Sequence, residues 1–161
     1  MVSLFIPRKI SVLDVSDYFL SRSVPGTNQA ITHLKLQKLV YFAQAWHLAL
    51  TGKKIFENRI EAWTHGPVVP ELYSKYKAFG FRELPKKEDV KEATFEKDVL
   101  ETLGLVWELY GDKEGKVLEN ITHNEDPWIE ARRELSQHER SNVEISTYKM
   151  EEYFKNEYIQ Q

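Results

Sequence analysis

The sequence predicts a mainly α fold, about six or seven helices packed as one compact domain around a buried central helix, with a small β-hairpin. Three observations lead there. Leu34 to Leu50 shows Leu, Val, Phe, Trp and Ala on nearly every face, so this helix has no side for solvent and must be a domain centre or a membrane span. Lys35, Gln37, Lys38, Gln44 and His47 interrupt the apolar run, well short of the ~20 residues a span requires. The flanking segments carry apolar residues at helical spacing. The 161-residue length and 29% charged content suit one globular domain able to bury a core without cross-links.

Ser11 is placed to cap a first helix in which Val12, Val15 and Phe19 recur at helical spacing, ending near Ser23 before Pro25-Gly26. After a linker from Asn28 to Ile31, Thr32 caps the central helix and Gly52 terminates it. Ile55-Phe56 and Ile60 to Trp63 read as a hairpin around Glu57-Asn58. Gly66-Pro67 opens a third helix with Leu72, Tyr73, Tyr76 and Phe79, which stops at Gly80. Phe81 to Glu92 reads as a solvated connection. Thr94 caps a helix with Phe95, Val99, Leu103, Val106 and Tyr110 along one stripe, and Gly104 inside it implies close approach of another helix. A short helix through Val117, Leu118 and Ile121 leads to Asp126-Pro127, cap and first-turn proline for a helix through Trp128, Ile129 and Arg132. Val143 to Ile145 is extended, and Ser146 caps a final amphipathic helix with Met150, Tyr153, Phe154 and Tyr158.

Composition narrows the functional classes. With no cysteine there is neither a disulfide framework nor a thiolate metal site. Met1 to Lys9 lacks the basic-then-apolar order of a secretory peptide, so a cytoplasmic location is expected. The net charge of -3 divides unevenly: Met1 to Arg82 carries 11 Lys and Arg against 5 Asp and Glu (+6), and Glu83 to Gln161 carries 11 against 20 (-9). Such halves attract each other across a fold, or form a dipolar surface that steers a charged partner.

Gln37, Tyr41 and Gln44 fall at i, i+4 and i+7 on one face of the central helix, with His47 at its border. A polar stripe on a buried helix is either hydrogen-bonded internally or faces a pocket. It is taken as an internal network orienting the Thr64 to Pro67 loop, with a partner groove as the alternative. His33 and His47 are too far apart on one helix to share an ion, and His65 and His123 lie on separate segments without short ligand spacing. No metal or cofactor is expected. Nucleophile elbows and glycine-rich phosphate loops are lacking, so no enzymatic activity is expected either. Lys53, Lys54, Lys75, Lys77, Arg82, Lys86 and Lys87, with Tyr73 and Tyr76 interleaved, allow DNA contact, but no helix-turn-helix spacing favours it.

Three blocks carry a resemblance: Leu34-Lys-Leu-Gln-Lys-Leu-Val-Tyr-Phe-Ala-Gln-Ala-Trp-His47, Ile60-Glu-Ala-Trp-Thr-His-Gly-Pro-Val-Val-Pro-Glu-Leu-Tyr73, and Leu118 to Arg132 with Thr122-His-Asn-Glu-Asp-Pro-Trp128. In this order they resemble the Panacea domain, a family also named for SocA-like antitoxins and GepA-type phage-associated proteins. The resemblance spans roughly Ser11 to Phe154 and treats the chain as a single domain with its core in residues 11–158. It implies a bacterial or phage antitoxin that binds a cognate toxin directly, masks it and performs no chemistry. Delivery of the toxin to a cytoplasmic protease and DNA-binding autoregulation are the alternatives. Trp63, His65, Tyr73 and Tyr76 are the candidate partner anchors, as aromatics are favoured at interfaces, together with the final helix. Gln37, Tyr41, Gln44, His47, Gly66, Pro67, Asp126, Pro127 and Trp128 are expected to be structural.

Overall fold

The computed structural model describes residues 8–159. Helix α1, Val12–Arg22, starts at Ser11, whose amide donates to the Asp14 carboxylate at 2.9 Å. Helix α2, His33–Thr51, is the central element: from Leu36 to Ala49 every residue is buried. Thr32 accepts the Lys35 amide at 3.3 Å, and Gly52, at φ 76, closes the helix by donating to Leu48. A left-handed residue is the ordinary helix terminator, and glycine adopts it without steric cost.

The hairpin does not form around Glu57-Asn58. Strand β1, Glu61–Trp63, pairs antiparallel with β2, Gly66–Val68, through the two-residue turn Thr64-His65. Gly66-Pro67 therefore opens no helix. Gly66 takes φ 106 to leave the turn, and Pro67 stands opposite Ala62, a position that demands no amide hydrogen from it. Helix α3, Pro70–Tyr76, starts instead at the next proline and continues as a 3₁₀ turn, Lys77–Phe79, before Gly80.

The Phe81 to Glu92 connection is tied down more firmly than a solvated loop: Leu84 is buried, its amide donates to Ile31 at 2.8 Å, and Thr32 and Glu83 form a bridge. Helix α4, Lys97–Tyr110, starts after Glu96, not Thr94. The Thr94 hydroxyl donates instead to the Lys91 carbonyl at 2.8 Å, within a 3₁₀ turn, Glu92–Thr94. At Gly104 the neighbour is a side chain, since an added Cβ would meet the Tyr18 hydroxyl at 3.9 Å. Helix α5 spans Gly115–His123, and α6, Asp126–Ala131, is preceded by Glu125, so Asp126 is the first helical residue and not the cap. Helix α7, Thr147–Phe154, is capped by Ser146, which accepts the Lys149 amide at 3.2 Å, and ends in a π turn, Lys155–Ile159. Helices α4, α5 and α7 all pack on α2. No helix among the described residues is long and apolar enough to cross a membrane.

Three cations lie inside this fold, held by carbonyl oxygens. Lys35 donates to Asn28, Ala30 and Gly111 at 3.1, 2.9 and 2.6 Å. Lys38 is 0% exposed and donates to the Pro67 carbonyl at 3.0 Å. Arg132 donates to Ala62 at 2.8 Å and to the carbonyls of Ser136, Gln137 and Glu139. Burial lowers Lys35 to about 8 and Lys38 to about 7, because desolvation disfavours the charged form.

Candidate functional site

The hairpin lies against α2 and α5 with both strands largely buried, and the outward polar groups of its Ala62 and Pro67 pair each have a partner. At the pair Ala62 and Pro67 the backbone groups point away from the ladder. The Ala62 amide donates to Val143 at 2.8 Å, its carbonyl accepts Arg132, and the Pro67 carbonyl accepts Lys38. Proline leaves no amide hydrogen to satisfy there. The Ile145 amide donates to Ile60 at 2.8 Å, so Val143 to Ile145 runs as an extended cover along β1. Trp128 donates from its indole to the Trp63 carbonyl at 2.8 Å. Gly66 sits so close to α2 and α5 that an added Cβ would lie 2.6 Å from Lys38 Cε and 3.0 Å from Thr122 Oγ1.

Beneath the turn is a polar cluster. Glu119 is buried, yet its carboxylate accepts Lys116 at 2.9 Å and lies 3.4 Å from His65 Nδ1. Burial raises its pKa, but the Lys116 and His65 hydrogen bonds outweigh it and hold the carboxyl below its ordinary value. Both partners remain largely in solvent, with His65 side-chain exposure of 70%. His123 stacks on Trp128 at 4.1 Å, and burial lowers its pKa. Among the described residues, none of these groups forms a set of three or more His, Asp or Glu placed to hold a metal ion.

The four anchor candidates divide. Trp63 packs on Tyr73 at 4.8 Å and donates to Glu61 at 2.9 Å. Tyr73, 38% exposed, and His65 reach solvent beside it. Tyr76 does not: it is 8% exposed, turned inward against His33 and Phe79, because α3 lays that face on the start of α2. His33 joins the row between Tyr73 and Tyr76, and burial, followed by the nearby Lys38 charge, lowers it to about 4.

The polar stripe of α2 makes separate contacts. Gln44 accepts the Ile55 amide at 2.8 Å and donates to the Phe56 carbonyl at 2.7 Å. Gln37 accepts the Val69 amide at 2.9 Å and reaches His33 at 3.0 Å. His47 shares a 2.8 Å hydrogen bond with Thr102. The Tyr41 hydroxyl is buried and has no hydrogen-bond partner among the described residues. Gln37 and Gln44 thus orient Val69 and Ile55-Phe56, while the Thr64 to Pro67 loop is held by Lys38 and Trp128. Sequence reasoning missed Lys38, Glu119 and Arg132 in these roles. A lysine on a helix apolar on all sides was the available signal for the first.

With this geometry in place, comparison with known proteins identifies the chain's relatives. Antitoxin SocA of Caulobacter vibrioides (strain NA1000 / CB15N) is 30% identical over 100 residues, which are 62% of this chain and 50% of that protein. The chain thus spans about half the length of the curated relative it matches. No solved structure matches. Residues 36–129 match the family described as Antitoxin SocA-like, Panacea domain. They run from the buried core of α2 through the pinned hairpin to Trp128 of α6, more than half of the chain, and on that match this protein belongs to the SocA-like antitoxin, Panacea-domain family.

Proposed function

We propose that this protein is a cytoplasmic antitoxin that neutralises a cognate toxin by direct binding, with no chemistry of its own. Family membership supports the antitoxin role. One structural observation supports binding over catalysis: Lys38, Arg132 and Trp128 are spent on hairpin carbonyls and Glu119 on Lys116 and His65. What they present to solvent is a fixed turn with His65 on top and Trp63 and Tyr73 beside it. Such a surface buries rigid aromatic area at low entropic cost.

The test is co-expression with the product of the neighbouring reading frame. Growth rescue together with co-purification supports masking. Rescue without a detectable complex refutes it, and rescue only in cells that hold a particular protease replaces it with toxin delivery. Binding to operator DNA that falls steeply with salt would mark an autoregulator instead.

A further inference from the structure

We infer that Phe81 is the anchor of the partner-binding surface, seated in an apolar pocket of the toxin whose rim is acidic; this rests on the antitoxin reading above. Phe81 is 98% exposed. Single exposed apolar residues are ordinary, but this one stands on a knuckle held from both sides. Before it, Gly80 donates to Lys77 at 3.2 Å and turns at φ 58. After it, the Arg82 amide donates to Phe79 at 3.1 Å, and its guanidinium lies over the Phe79 ring at 5.4 Å while donating to Ala78 and Phe79 carbonyls. Glu83 then bridges to Thr32 and accepts the Gly26 amide at 3.0 Å, and Leu84 is buried. The ring is therefore presented with little backbone freedom left to lose on binding, which is what makes an aromatic side chain an effective anchor.

The knuckle is continuous with the hairpin face. Trp63 touches Tyr73 at 4.8 Å, Tyr73 touches His33 at 5.3 Å, His33 meets Tyr76 at 6.3 Å, and Tyr76 meets Phe79 at 6.1 Å. A ladder of rings thus runs from the turn at His65 to the base of the knuckle.

Charge selects the occupant. In residues 74–87, the segment that carries Phe81, Lys75, Lys77, Arg82 and Lys86 are exposed, the single carboxylate, Glu83, accepts the Gly26 amide, and among the described residues no carboxylate lies within ion-pair distance of those four cations. A pocket rimmed by Asp and Glu complements this set and gains association rate from it. A single-stranded nucleic acid would want successive exposed ring faces, whereas between the exposed rings of Tyr73 and Phe81 the Tyr76 ring is buried and the Phe79 ring is half-buried. A bilayer would want several coplanar apolar side chains, and among the described residues Phe81 is the one large apolar side chain in 74–92 that is exposed.

The test measures binding of the purified full chain to the purified product of the neighbouring reading frame, for wild type, Phe81→Ala and the pair Lys77→Glu/Lys86→Glu. Phe81→Ala should weaken binding roughly 30-fold or more with an unchanged melting temperature, and the charge-reversed pair should slow association and remove most of its salt dependence. Phe81→Ala binding within about threefold of wild type overturns the anchor and leaves the antitoxin reading standing. Absence of a wild-type complex overturns both. Wild-type binding to phosphatidylserine vesicles or to a single-stranded oligonucleotide that disappears in Phe81→Ala overturns the protein occupant.

Discussion

Replacing Lys38 with methionine should remove a large part of the pH dependence of folding stability. The ammonium is fully enclosed between α2 and β2, with one carbonyl partner, and burial lowers it to about 7 from an ordinary 10.5, partly offset by the Glu119 charge. Between those two values the unfolded chain holds a proton that the folded chain has released, so stability rises with pH across the window. At 1.36 kcal/mol per unit, the rise between pH 7 and pH 9 comes to about 2 kcal/mol from Lys38. Lys35, lowered to about 8, adds about 1 kcal/mol over the same interval. Glu125, which burial raises to about 7, works the other way but by less than about 0.5 kcal/mol above pH 7. Urea unfolding at pH 7 and pH 9, at equal ionic strength, measures the difference directly, with a constant m-value as the check on two-state behaviour. Wild type should gain about 2 to 3 kcal/mol on going to pH 9, and Lys38→Met about 1 kcal/mol or less. A Lys38→Met slope equal to that of wild type would show that the ammonium keeps its charge inside the fold, and the burial argument would fall.

Other substitutions probe the supports of the site. Gln44→Ala strands the Ile55 amide and the Phe56 carbonyl and should cost about 1 to 3 kcal/mol while leaving partner affinity of the folded fraction near wild type; unchanged stability with weakened binding would move the interface to that side of α2. Gly66→Ala combines φ 106 with a 2.6 Å approach to Lys38 Cε and should lower stability by about 2 to 4 kcal/mol, so an unaltered melting temperature would contradict the packing. Gly104→Ala meets only the Tyr18 hydroxyl at 3.9 Å and should stabilise α4 by up to about 1 kcal/mol. A destabilised variant, seen by thermal melting, would mean the helix pair is closer than it looks.

Elements whose ends are written in local chemistry were readable from the sequence. Thr32 and Gly52 bound α2, Ser146 caps α7 and Ser11 starts α1, whereas Thr94 and Asp126, which satisfy the same local rules, cap neither α4 nor α6. The hairpin was misplaced because Gly66-Pro67 satisfies the rules for a helix start as well as those for a turn exit followed by a strand. The deciding facts, the carbonyl of Pro67 on Lys38 and the indole of Trp128 on Trp63, join residues 29 and 65 apart in the chain. Lys38 itself was read as an interruption of the apolar run, when its ammonium is a ligand for a carbonyl no local pattern announces. Tyr76 passed for an exposed anchor for a related reason. Helical spacing puts it on the same side as Phe79 but does not say that α2 covers that side.

The carbonyl-bound cations also bear on how the molecule opens. Each joins stretches far apart in sequence: Lys35 holds residues 28–30 and Gly111, and Arg132 holds β1 together with residues 136–139. A loop fastened by ordinary amide pairs can fray one bond at a time, but one gathered on a buried charge cannot, because releasing a carbonyl leaves the charge without a ligand in a dry interior. Segments that look like peripheral connections are thereby enrolled in the same cooperative unit as α2. The amides in and beside these stretches that are themselves hydrogen-bonded, at Ala30, Leu135 and Glu139, should therefore exchange more slowly than those of loops that lack such an anchor.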